Sequence, residues 1–161
     1  MMRTLLLILV TASCSCMHGR WSEATSERYR ELYSLDNEEL THRMREMTPD
    51  QQLDAFEWGL VNIHPPSHRL EEWIFSGGQP TALLVEKRML NPRSGSMTLE
   101  FSSLLVGFCR QGEYAATPRR AIEMKKACKR DWGVGSACEA NVVEAASGCS
   151  TRAAESEPHG P

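Results

Sequence analysis

Four times along this chain a Ser, Thr or Asp stands where a helix would begin, and almost nothing between those points can be a strand. "LDNEEL" places Asp36 as N-cap with Glu39 three residues on, and Leu35 and Leu40 flank it as a hydrophobic staple. "TPDQ" repeats the device: Thr48 caps, Pro49 occupies the first turn and Gln51 closes the box. Ser67 is placed to cap a third helix, and "TPRR" starts another with Thr117 as cap and Pro118 at the first turn. Period-two runs rich in Val, Ile and Thr, the mark of strands, are nearly absent. These signals confine the chain to an all-α fold.

Apolar spacing supplies the inner faces. Leu40, Met44 and Met47 form one stripe, and Leu53, Phe56, Leu60 and Ile63 form the next. "HPP" at 64–66 ends that helix, since Pro65 disfavours helical geometry at His64. The helix capped by Ser67 carries Leu70, Trp73 and Ile74 and stops at "GG" (77–78). Pro80 opens the next, with Leu83, Leu84 and Leu90 inward. After the loop "NPRSGS" (91–96), Met97, Phe101, Leu104, Leu105 and Phe108 run toward Gly112. Beyond Pro118 the inner face is Ala121, Met124, Cys128 and Trp132. "GVGS" turns the chain into a last helix carrying Cys138, Val142, Ala146 and Cys149. The expectation is seven to eight short helices over residues 26–149, in a helical-hairpin array or a compact bundle, because short connections favour antiparallel neighbours. Residues 150–161 have no apolar period and predict a disordered tail.

The N-terminus has a different character. Arg3 precedes an unbroken apolar run, Leu5 to Val10, which is far short of the roughly 20 residues that span a bilayer. It therefore reads as a signal peptide over 1–13. Two cleavage readings stay open. Val10 and Ala12 suit an ordinary signal peptidase cutting before Ser13. Thr11-Ala12-Ser13-Cys14 resembles a bacterial lipobox, in which the cysteine is lipidated and becomes the first residue; here Thr stands where Leu or Val is usual. On that reading Cys14 carries lipid, residues 14–25 form a flexible tether, and Ser15 rather than Asp after the cysteine resembles lipoproteins sorted to the outer membrane. Cys16 is left over.

Lys and Arg total 18 and Asp and Glu total 21 in 161 residues. Loss of Arg3 with the leader brings the net charge to −4. That balance argues against nucleic acid as a main partner, which would favour a basic surface.

The four body cysteines, Cys109, Cys128, Cys138 and Cys149, suit an oxidising compartment. Cys138 and Cys149 lie about 16 Å apart on one expected helix, whereas a disulfide needs Cα atoms about 4.4–6.8 Å apart. They therefore pair elsewhere. A hairpin turning at 133–136 brings Cys128 level with Cys138, and Cys149 then returns to the end that holds Cys109. Cys128–Cys138 with Cys109–Cys149 is thus favoured over the crossed pairing. Buried free thiols are the next reading, and a zinc site or catalytic thiol comes last, because the spacing contains no C-x-x-C. "GFCRQG" around Cys109 suggests a nucleophile turn, yet its place at the end of an apolar helix favours a structural cysteine.

Other candidates are weaker. His64 and His68 flank two prolines that keep them off one helix; His68 and Glu72 stand at i, i+4 as a metal-ligand or ion pair, or as a solvated helix start. Arg119, Arg120, Lys125, Lys126, Lys129 and Arg130 cover one helix face. They would suit an anionic lipid, an envelope polymer or an acidic protein surface, and the ordinary alternative is a solvated face. Trp58, Trp73 and Trp132 belong to apolar stripes, as core or as an aromatic groove. Adjacent Glu71 and Glu72 diverge by about 100° on a helix and make a poor catalytic pair. No G-x-S-x-G, H-E-x-x-H, P-loop or G-x-G-x-x-G occurs, and no cofactor or metal is expected.

"HPPSHRLEEWIFSGGQPTALLVEKRML" (64–90) resembles a segment of small helical bacterial envelope lipoproteins, in which a His-Pro-Pro turn precedes one helix and a glycine turn lets a second pack back in HEAT-like fashion. The resemblance spans 48–108 and implies a helical body in the cell envelope without a defined activity. No internal repeat accompanies it. The expected function is a non-catalytic body for protein–protein interaction, a class that includes immunity and inhibitor proteins. Binding of an anionic lipid or envelope polymer through 119–130 is the alternative, and an envelope hydrolase the least favoured.

Overall fold

The computed structural model describes residues 21–92 and 95–149. The leader 1–13, Cys14, Cys16 and the tail 150–161 lie outside the described residues. Within them the protein is all-helical, with eight helices and no strand: α1 (Glu23–Ser34), α2 (Asn37–Glu46), α3 (Pro49–Asn62), α4 (Glu71–Ser76), α5 (Gly78–Leu90), α6 (Met97–Arg110), α7 (Pro118–Trp132) and α8 (Ala137–Ala146).

The caps explain most of the helix starts. Asp36 accepts from the backbone amides of Glu38 and Glu39, both at 2.9 Å. Thr48 and Gln51 form a complete reciprocal capping box ahead of Pro49. Thr117 caps α7 and Ser136 caps α8. Ser22 caps α1, which begins at Glu23 inside the stretch read as tether. Only Tyr29 and Leu32 of α1 are buried, too little apolar signal to announce a helix from sequence.

Three expectations change. Ser67 does not cap α4: Leu70 is its N-cap position, and Ser67 Oγ accepts only from the amide of Arg69. Helix α5 starts at Gly78 rather than Pro80, and its inner face is Thr81, Ala82, Val85, Glu86 and Met89. Leu83 is exposed and Leu84 and Leu90 are half-buried, because the register turns inward a glutamate that finds partners. On α8 the inner residue is Ala145, not Ala146, and Cys149 lies beyond the helix end.

Helix α6 is the central element, packed on α5, α8 and α7, while α1 sits on α3 and α3 meets α4 and α5. Its stripe of Phe101, Leu104, Leu105 and Phe108 is buried throughout. Phe75 of α4 stands edge-on to Phe108, centroids 5.0 Å apart. It does so over Gly107, where a Cβ would lie 2.5 Å from the Phe75 ring. Glycine is what lets α4 approach α6 here.

Both expected disulfides form. Cys109 joins Cys149 and Cys128 joins Cys138, each with Cα atoms 5.5 Å apart. The amide of Ala116 donates to the carbonyl of Ala145 at 3.1 Å, so α8 is tied back to the start of α7 and the two helices run antiparallel.

Candidate functional site

The basic helix α7 is largely compensated within the protein. Arg120 pairs with Glu86 at 3.0 Å and Glu123 at 2.8 Å, and Arg119 with Glu123 at 3.3 Å. Arg130 pairs with Asp131 at 2.6 Å and Lys129 with Glu139 at 3.6 Å. Hydrogen bonding from Arg120, then Arg119, holds Glu123 below the usual carboxylate range against its own desolvation. Arg130, with the Thr98 hydroxyl, does the same for Asp131. Of the six basic residues singled out in the sequence, Lys125 and Lys126 alone have no carboxylate within ion-pair distance among the described residues.

The other candidates do not converge. His68 pairs with Glu71 at 2.5 Å rather than with Glu72, and His64 stands exposed. No group of three His, Cys, Asp or Glu side chains able to hold a metal occurs among the described residues. All four body cysteines are oxidised, so none offers a thiolate to zinc or substrate. Trp58 is buried beside Tyr29 and Tyr33, Trp73 is half-buried, and Trp132, expected inside, is exposed.

Two partly buried ionic networks lie outside the sequence motifs. Asp50, Asp54 and Glu57 stand at i, i+4 and i+7 on α3, and Arg88 of α5 reaches all three, Asp50 at 2.7 Å. Burial works against the Arg88 charge, but the hydrogen bond to Asp50 and the charges of Glu57, Asp50 and Asp54 outweigh it. Tyr29 and Trp21 both donate to Asp54. In the second network Tyr114 donates to Glu86 at 2.6 Å. Burial first, and that bond second, push the Tyr114 hydroxyl pKa well above normal. Each network joins two helices through charges that satisfy one another, as structural ion clusters do.

One concavity is built differently. Between α1 and α2 lies a cleft of about 240 Å³. Its floor is Tyr29, Leu32, Leu35 and Met47. Arg28 and Glu31 from α1 and Arg43 and Glu46 from α2 form its rim, with Gln51 at the start of α3. Arg69 braces the bend between α1 and α2: it donates to the carbonyls of Tyr33 (2.9 Å) and Leu35 (2.6 Å) and to Asn37 (3.1 Å). Two carbonyls at the end of α1 are thereby satisfied. Arg28, Arg43 and Glu31 make no ion pair among the described residues; Arg28 lies 5.5 Å from the Tyr29 ring centroid. Glu46 faces His42 at 3.5 Å, and an apolar floor inside a charged rim of which Arg28, Arg43 and Glu31 are unpaired among the described residues has the anatomy of a protein-binding patch. Its volume is below the roughly 300–1,000 Å³ of small-molecule sites, which suits one or two side chains of a partner.

No protein-family model, curated protein or solved structure matches the chain.

Proposed function

We propose that this protein is a disulfide-stapled binding body of the bacterial cell envelope, exported by the leader 1–13 and tethered by lipid on Cys14. Its work is to hold a partner protein, in the manner of immunity or inhibitor proteins, through the α1–α2 cleft. The observation that carries this reading is the contrast in how charge is used. Arg88, Arg120, Arg130 and Arg69 are spent on internal contacts, whereas Arg28, Arg43 and Glu31 ring an apolar floor with no ion-pair partner among the described residues. A partner presenting an apolar side chain flanked by carboxylates fits that arrangement. The two disulfides support an oxidising compartment, and the resemblance of 48–108 to envelope lipoproteins supports the same location.

The test is site-specific photocrosslinking from position 35, on the cleft floor, in intact cells. The reading expects one adduct of discrete mass that disappears in the R28E/R43E double variant. No adduct, or one indifferent to that double substitution, would contradict it.

A further inference from the structure

The turn joining α7 to α8 exposes side chains that a water-facing turn has no use for. Val134 is 83% exposed and Trp132 44%. They sit around Gly133 and Gly135, both with positive φ and with nothing within 4 Å of where a Cβ would be. The Trp132 indole N–H donates to the carbonyl of Gly95 at 3.0 Å, which fixes the ring outside the core.

The pattern continues along the helices, where Lys125 is half-buried and Lys126 and Lys129 are exposed. Ile122, Lys125, Lys129 and Trp132 follow one another at steps of three, four and three residues, which places them on one stripe of α7. Ile122 is 58% exposed and Val143 of α8 is 49% exposed. The Ala116–Ala145 hydrogen bond and the Cys128–Cys138 bridge set the antiparallel register, and that register brings Ile122 and Val143 to nearly the same level. Lys125 and Lys126, without a carboxylate partner among the described residues, lie between this aliphatic pair and the Trp132 turn. Lysines with apolar stems, an interfacial indole and scattered aliphatics on one face are the composition of a bilayer-surface contact.

We infer that the α7–α8 face and its turn form a docking surface for an anionic phospholipid bilayer. Trp132 and Val134 enter the headgroup boundary, while Lys125 and Lys126 meet lipid phosphates. The inference rests on the envelope location proposed above, but not on Cys14 carrying lipid. It gives the tethered body a fixed orientation, with the α7–α8 turn against the membrane.

The test uses the mature chain with vesicles whose acyl chains are brominated, either phosphatidylglycerol-rich or purely phosphatidylcholine. The readout is quenching of the emission that Trp132 contributes, obtained as the difference between the protein and W132F, with helicity checked by circular dichroism. The inference expects quenching on phosphatidylglycerol, little on phosphatidylcholine, and loss of quenching in K125E/K126E and at high salt. Unquenched Trp132, equal quenching on both vesicles, or quenching that survives K125E/K126E would overturn it. Flotation of the same samples with phosphatidylcholine vesicles reports lipid on Cys14 separately. Protein that fails to float there yet is quenched on phosphatidylglycerol ends the lipid-tether reading and supports this one.

Discussion

Tyr114 donates its hydroxyl to Glu86 across 2.6 Å, joining the strap before α7 to the inner face of α5. Both residues are buried, and Arg120 closes the network on the other carboxylate oxygen. Tyr114→Phe removes one hydrogen bond to a charged acceptor and should cost about 1.5–3 kcal/mol. Glu86→Leu strands the Tyr114 hydroxyl in an apolar site and should cost at least as much, although leucine is the more apolar residue. Urea unfolding midpoints of the two variants check both statements.

The two bridges close loops of different length. Residue separations of 40 for Cys109–Cys149 and 10 for Cys128–Cys138 correspond, in the chain-entropy account, to about 4 and about 3 kcal/mol. Paired Cys→Ser variants, C109S/C149S and C128S/C138S, should both unfold earlier in denaturant, the first by the larger margin.

Gly107 is set by the Phe75 ring. Gly107→Ala places a methyl 2.5 Å from two ring carbons and should cost about 1–3 kcal/mol despite alanine's higher helix propensity. In the double variant G107A/F75A the added cost of the alanine should fall close to zero. A thermal-unfolding double-mutant cycle reads this directly.

Asp131 ties the end of α7 to the start of α6 through Thr98, at 2.5 Å, and to Arg130. Its pKa is depressed by the Arg130 hydrogen bond, so the sign is that of a carboxylate favoured in the folded state. The stabilisation is full above the unfolded value of about 3.9 and is lost as pH falls through the lower folded value. Asp131→Asn should therefore be less stable than the parent at neutral pH and converge with it in acid. Unfolding free energies across an acid titration test the convergence.

The helix plan was legible because its punctuation is local. Asp36, Thr48–Pro49 and Thr117–Pro118 cap where the pattern places them, and the hairpin between Cys128 and Cys138 follows from the turn at 133–136. What stayed hidden depends on partners distant in sequence. Leu83 outranks Glu86 as a core candidate until Tyr114 and Arg120 are known to receive the carboxylate. Asp50, Asp54 and Glu57 do share a helical face, but their cation, Arg88, is 31 to 38 residues away. The bend beside the α1–α2 cleft is braced by Arg69 bonding backwards to Tyr33 and Leu35, a contact with no local signature. The basic helix was visible, but its compensation by Glu86 and Glu139 was not.

The proposal of an exported, twice-bridged body is decided by the intact mass of the protein recovered from the cell envelope, with and without reduction. The expected species is a chain starting at Cys14 with acyl and diacylglycerol mass, gaining two hydrogens on reduction for each of the two bridges. A chain that retains Met1 and shows all of its thiols free would contradict it.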